Sequence, residues 1–96
     1  AVAIPEGYEG QLRMRSGLAH DAGLALLNAP GTVDSDYRGE IRIIVANLGT
    51  EPVTLHRGDR IAQFVIAPVA RAGFDKVARL PDSVRNTGGF GSTGKE

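Results

Sequence analysis

The chain has 96 residues, 42% hydrophobic, 23% charged and 5% aromatic, the balance of one small domain. Its 11 Lys and Arg offset 11 Asp and Glu, so the formal net charge is zero, which argues against the basic face of a nucleic-acid binder. The absence of Cys removes disulfides, thiol nucleophiles and the common structural zinc sites, and no apolar run or leader pattern marks a membrane span or signal peptide, so the expected compartment is the cytoplasm.

Glycine and proline punctuate the chain at short intervals, leaving pieces too short for good helices. Glu9 to Arg15 alternates, with Gln11, Arg13 and Arg15 on one side and Leu12 and Met14 on the other, and reads as a strand. Arg15-Ser16-Gly17 then reads as a turn, with His20 and Asp21 in a solvated loop. Gly39 to Asn47 starts with alternation and becomes continuously apolar, as a strand buried on both faces does. Asn47 to Thr50 reads as a turn, Pro52 to His56 as a short strand, Arg57-Gly58-Asp59 as a second turn and Arg60 to Ala67 as a strong strand. Ala72 to Leu80 fits either a strand or a helical turn. Several short strands at this spacing imply an all-β sandwich, jelly roll or barrel. A chain this short buries only about 60–65% of its unfolded surface, so oligomerisation is the expected additional source of stability.

The stretch Arg85 to Gly94 carries four glycines and one apolar residue, Phe90. It reads either as a disordered terminus or as an arm that orders around a ligand. Gly89 to Lys95 (GFGSTGK) opens like a P-loop, but Glu96 stands where Ser or Thr should bind magnesium and no helix can follow, so a P-loop NTPase is rejected.

Several groups carry candidate chemistry. Arg15-Ser16-Gly17 combines a forked cation, a hydroxyl and a permissive backbone, a combination suited to phosphate, although it also makes an ordinary turn. Asp34, beside β-branched Val33, is a candidate general base on a water, against the simpler reading that Asp34 and Asp36 form an Asx-type turn. Gln63 interrupts an apolar row formed with Ile61 and Val65, so its amide must find a partner. Ser16, His20 and Asp21 do not make a triad, because no nucleophile elbow surrounds them. His56 is a lone histidine without neighbouring metal ligands.

RSGLA at 15–19, GTVDSDYRGEI at 31–41, RGDRIAQ at 57–63 and RNTGGFGSTG at 85–94 resemble, in order and spacing, motifs two to five of the trimeric dUTPases. The resemblance covers nearly the whole chain. It implies a distorted jelly roll (β-clip) over residues 1–80, a mobile C-terminal arm over 81–96, and a homotrimer with shared sites. The implied reaction is hydrolysis of dUTP to dUMP and pyrophosphate, which removes dUTP from the pool and supplies dUMP for thymidylate synthesis. Asp34 would activate the water that attacks the α-phosphorus. Tyr37 would pack beneath the deoxyribose and exclude a 2′-hydroxyl. Asn28 and the backbone of Gly31, Thr32 and Val33 would read the uracil edge. Arg15, Ser16, Gly17 and Gln63 would hold the α- and β-phosphates, with Arg42 near the substrate. Arg85, Gly91, Ser92 and Thr93 would close on the γ-phosphate while Phe90 stacks on uracil. Mg2+ would be held through the triphosphate and water, with no protein ligand.

The family's first motif, an Asp-bearing Gly-Asp-Leu pattern, has no counterpart here. The expectation is therefore a chain without the N-terminal strands of a longer protein, or a naturally shortened homologue. A related alternative, dCTP deaminase, needs a Glu ten positions after the Asp34 equivalent, where this chain has Ile44. A non-catalytic dUTPase-like binding or regulatory module would be expected to lose Asp34, Tyr37 or the arm, and all three are present.

Overall fold

A computed structural model describes residues 1–94; the last two residues of the expected arm, Lys95 and Glu96, lie outside the described residues. The organising strand is β1 (Tyr8–Met14), which follows a turn closed by the Tyr8 amide donating to the Pro5 carbonyl at 3.2 Å. Its alternation works as the sequence predicts. Gly10 and Leu12 are buried and Met14 half-buried on one face, while Arg13 donates to the Gln11 side chain at 2.7 Å on the other.

The chain next forms a short helix, α1 (Ser16–Ala22), then β2 (Leu24–Leu26) and β3 (Gly31–Val33). Two later strands follow, β4 (Val45–Asn47) and β5 (Ala62–Pro68). They make two antiparallel sheets, one of order β3-β1-β5 and one pairing β2 with β4. In the larger sheet Leu12 lies opposite both Gly31 and Phe64, and Arg13 opposite Gln63. Ile4, Leu12, Leu26 and Val33 form the buried cluster, with Met14, Ile41 and Ile43 packed against it. The all-β class holds, with one helix, α1, where the sequence predicts a turn at Arg15–Gly17 and a loop at His20–Asp21.

That helix forms because Gly23 ends it in the left-handed conformation (φ 70°), where its amide donates back to the Ala19 and Leu18 carbonyls. Leu18 and Ala22, four residues apart, are its half-buried side chains. His20 and Asp21 are therefore helical, exposed and paired with each other at 2.7 Å.

The expected strand Gly39–Asn47 is paired only at β4. Ile41 and Ile43 are half-buried against the core while Arg42 and Ile44 face outward, so the segment is covered on one face rather than two. Its Ile44 carbonyl accepts from Leu27 at 2.8 Å, the tie that keeps it beside β2. The expected strand Pro52–His56 is irregular, with Val53 its one half-buried residue. The turn after it is as predicted: Asp59 donates to the His56 carbonyl at 3.0 Å and Gly58 has φ 92°.

Regular structure ends at Pro68, and Ala72–Leu80 is neither strand nor helix. Phe74 in that segment is 95% exposed and Val84 beyond it fully so. The radius of gyration is 19.0 Å, against roughly 12–13 Å for a compact chain of this length. Residues 73–94 reach away from the sheets instead of packing on them. Among the described residues no helix is long and apolar enough to cross a membrane.

Candidate functional site

β3 and the turn after it build one cleft. Val33 is buried and anchors the strand while Thr32 faces outward. Gly31 crosses β1 so closely that a Cβ there would lie 3.2 Å from the Leu12 Cβ and 3.5 Å from the Asn28 amide nitrogen. Beyond Val33 the chain reverses, and the Tyr37 amide donates to the Asp34 carbonyl at 3.1 Å. It is the Asp34 backbone that closes this turn, and Asp34 itself is exposed. Arg38 braces the turn by donating to the Ser35 carbonyl at 2.6 Å and the Tyr37 carbonyl at 3.1 Å. Tyr37 then donates its hydroxyl to the Glu40 carbonyl at 2.7 Å. The result is a cleft of about 220 Å³ lined by Asn28, Gly31, Thr32, Val33, Asp34, Tyr37 and Arg42, with Leu12, Glu40 and Ile41. All the sequence-predicted residues between 28 and 42 meet there.

A second cleft, of about 370 Å³, lies where β1 runs into α1. Arg15, Ser16, Gly17 and Gln63 line it together with Arg60, and with Leu18, Ala22 and the carboxylate of Asp21. Arg15 is fixed at both ends: its amide donates to the Ile61 carbonyl at 3.3 Å and its guanidinium to the Arg60 carbonyl at 3.2 Å. The first intrahelical bond runs from Ala19 to the Arg15 carbonyl, so the amides of Ser16, Gly17 and Leu18 are not used inside the helix. Two guanidinium groups, a hydroxyl, an amide side chain and free backbone amides make a seat for an anion. Leu12 lines the first cleft and Arg15 the second, so β1 carries one into the other over about 10 Å.

A third cleft, of about 500 Å³, lies on the other side of the Asp34 turn, with Glu6, Glu9, Asp34 and Asp36 outnumbering Arg38 and Arg71. Its charge opposes a polyphosphate, whereas in the Arg15 cleft two guanidinium groups outnumber the one carboxylate, Asp21. Asp34 lines both this cleft and the first. Among the described residues no group of three or more His, Asp or Glu side chains comes together as a metal cage.

The arm residues are not at either cleft. Arg85 donates its Nε to the Gly88 carbonyl, the Ser92 amide donates to the Gly89 carbonyl at 3.0 Å and the Gly94 amide to the Gly91 carbonyl at 2.9 Å. Ser83 and Asn86 exchange side-chain bonds at 2.7 and 2.8 Å. The arm is thus a run of local turns, with Phe90 fully exposed and at φ 50°.

A sequence profile of the dUTPase family matches residues 1–94. The chain belongs to the dUTPase family. It is 62% identical, over 98% of its length, to the deoxyuridine 5'-triphosphate nucleotidohydrolase of Dinoroseobacter shibae. It spans about three-fifths of the length of the curated relatives it matches. Among solved structures it is similar to the Staphylococcus bacteriophage 80alpha dUTPase with dUPNHPP, at 30% identity and a TM-score of 0.83, covering 98% of this chain and 71% of that one. A mutant dUTPase from phage phi11 of S. aureus, described with a coordinated structural Mg(II) ion, is 27% identical with a TM-score of 0.68, over 82% of this chain and 67% of that one. The jelly-roll-type fold of these dUTPases is therefore that of this chain.

Within this dUTPase-family chain, Asp21, expected as a solvated loop residue, also lines the second cleft, and Arg60 is a lining residue to which the sequence assigns no role. Its signal was weak but present: it opens the segment ending in Gln63, and alternation puts residues 61, 63 and 65 on one face without saying where Arg60 reaches. Glu40 was also unassigned. It enters the first cleft through its carbonyl bond with Tyr37 and its 3.6 Å ion pair with Arg42.

Proposed function

We propose that the protein carrying this chain hydrolyses dUTP to dUMP and pyrophosphate. The observation that carries this reading is the first cleft, where an exposed carboxylate, an aromatic ring and a polar strand edge face one volume sized for a nucleoside. In this reading uracil lies against Asn28 and the backbone of Gly31 to Val33, and the sugar rests on Tyr37. The triphosphate runs along β1 toward Arg15, Ser16, Gly17 and Gln63. The Asp34 carboxylate takes a proton from water as that water attacks the α-phosphorus. The bond from the α-phosphorus to the bridging oxygen breaks, and pyrophosphate carries away the electron pair.

The donor set fits magnesium arriving with the nucleotide, because Arg15, Ser16, Gln63 and Arg60 are partners for phosphate oxygens and Asp21 is the single carboxylate of that cleft. Magnesium, when bound, neutralises phosphate charge and polarises the phosphoryl group. Arg85, Gly91, Ser92 and Thr93 then meet the γ-phosphate and Phe90 stacks on uracil. This needs the arm of this chain or of a neighbouring copy to be delivered to the clefts. A homotrimer with shared sites supplies it, and fits the exposed C-terminal quarter. The described residues of the expected arm, 81–94, act in this scheme as a closing arm, and dUMP is the product passed to thymidylate synthesis.

The deciding experiment measures pyrophosphate release from dUTP beside dCTP and UTP. Release from dUTP alone is expected. Tight binding of dUTP without release makes the protein a nucleotide-binding module, and ammonia release from dCTP makes it a deaminase.

A further inference from the structure

Gly39 has no side chain, and Tyr37 occupies the space one would take. A Cβ on Gly39 would lie 2.6 Å from the Tyr37 Cζ and 2.8 Å from its Cε1, with the hydroxyl oxygen closer still. Real Cβ atoms essentially never approach heavy atoms within 3.0 Å. The requirement is for space and not for backbone freedom, since the positive-φ glycines are Gly7, Gly23, Gly58, Gly91 and Gly94. The Tyr37 hydroxyl is meanwhile tied to the Glu40 carbonyl at 2.7 Å. The ring thus lies across residues 39–40, pinned at its tip, and lines the cleft that also holds Asp34.

We propose that Gly39, with the Glu40 carbonyl, is the seat that positions Tyr37 and thereby sets the preference for a 2′-deoxyribose over a ribose. The inference rests on the reading of this cleft as the nucleoside site. Tyr37 is 44% exposed, so its ring has room to swing when pushed. A methyl at residue 39 moves the ring rather than the backbone. A ring held a fraction of an ångström away no longer fills the volume a 2′-hydroxyl needs. Gly39 is then a positioning residue, acting on the sugar only through Tyr37.

The test compares the dUTP-to-UTP ratio of kcat/KM, and of Kd for their non-hydrolysable α,β-imido analogues, in four variants. Gly39→Ala should lower both ratios about tenfold or more, since misplacement by about 1 Å can cost far more than its contact energy. Its melting temperature should stay near the wild-type value, while the near-ultraviolet tyrosine signal, shared only with Tyr8, changes. Tyr37→Phe keeps the ring, loses the Glu40 bond and should shift the ratios less, in the same direction. In a Tyr37→Ala background, adding Gly39→Ala should change nothing further, because the group through which it acts is gone. Tyr37→Ala with altered ratios beside Gly39→Ala with wild-type ratios overturns the proposal. If Gly39→Ala does not fold, unchanged ratios in Tyr37→Phe overturn it. Unchanged ratios in Tyr37→Ala instead remove the sugar-seat reading itself.

Discussion

Truncation after Val84 separates the arm's structural and functional roles. The buried core residues Ile4, Leu12, Leu24, Leu26 and Val33 all lie at or before residue 33. Among the described residues, the hydrogen bonds of the arm run within 83–94, and Phe90 is fully exposed. Removing the arm therefore takes no core contact away, and the stability change should stay within about 0.5 kcal/mol, as for exposed sites generally. For a chain of this size that is a melting shift of about 2–4 °C at most. Catalysis should respond differently. The stack of Phe90 on a base contributes about 1–3 kcal/mol, set against about 1–2 kcal/mol of backbone entropy for each residue that orders. The phosphate contacts of Arg85, Ser92 and Thr93 have to offset the remainder, so closure is finely balanced. In the proposed scheme its gain is geometric, holding the triphosphate in line with the attacking water, and its loss should lower kcat/KM for dUTP at least about tenfold. Thermal melts and pyrophosphate release on the intact and truncated proteins decide the matter. A melting temperature more than about 10 °C lower makes the arm a structural strap, and unchanged turnover removes it from the site.

Asp34→Asn should keep nucleotide binding and lower turnover by about 10²–10⁴, the usual range for a lost general base; turnover at the wild-type level would leave Asp34 as a turn residue only. Arg15→Ala should weaken dUTP-analogue binding by about 1.5–3 kcal/mol, or roughly 10- to 150-fold, the worth of a charged hydrogen bond. It should barely affect deoxyuridine, and equal losses for both ligands in calorimetry would place Arg15 outside the phosphate seat. Gly10→Ala is a packing test: its Cβ would strike the Phe64 ring and lie 3.1 Å from the Ile4 Cδ1. Overpacking of this kind costs about 1–3 kcal/mol, read as a lower melting temperature that Phe64→Leu partly restores; a neutral Gly10→Ala would mean the ring is not seated there.

The elements legible in the sequence are those whose two faces differ. β1 alternates between Leu12 and Met14 inside and Gln11 and Arg13 outside, and β5 is long and β-branched, so both strands fall within two residues of their expected bounds. β2 and β3 escaped notice because three residues are too few for a period to be counted. α1 is not legible because Ser16-Gly17 looks like a turn, and its one strong signal, the terminating Gly23, is in sequence alone one glycine among many. Gly39–Asn47 looked buried on both faces because composition cannot distinguish an apolar residue in the core from one left outside it. Ile43 packs on the core, while its neighbour Ile44 is 48% exposed.

The same contrast governs the site. Asn28 to Arg42 is one local excursion from β3 through its turn, so residues close in sequence are close in space, and their gathering in one cleft needs little beyond that turn. The anion seat is a different kind of object. Arg15 meets Arg60 and Gln63 only because β1 and β5 pair in the register that sets Arg13 opposite Gln63, and a slip of one residue would turn Gln63 to the other face. Sequence could name the members but not the pairing that assembles them. The arm goes a step further. Its bonds close on its own turns and its Phe90 touches no core residue, so neither local spacing nor sheet register delivers it. In the proposed scheme, what draws it in is an attraction present only when a nucleotide fills the clefts: a base for the ring and phosphate for the hydroxyls. A segment with four glycines and one aromatic has the composition for that role, since it gives up little packing when it leaves its free state and gains its contacts only in the closed one.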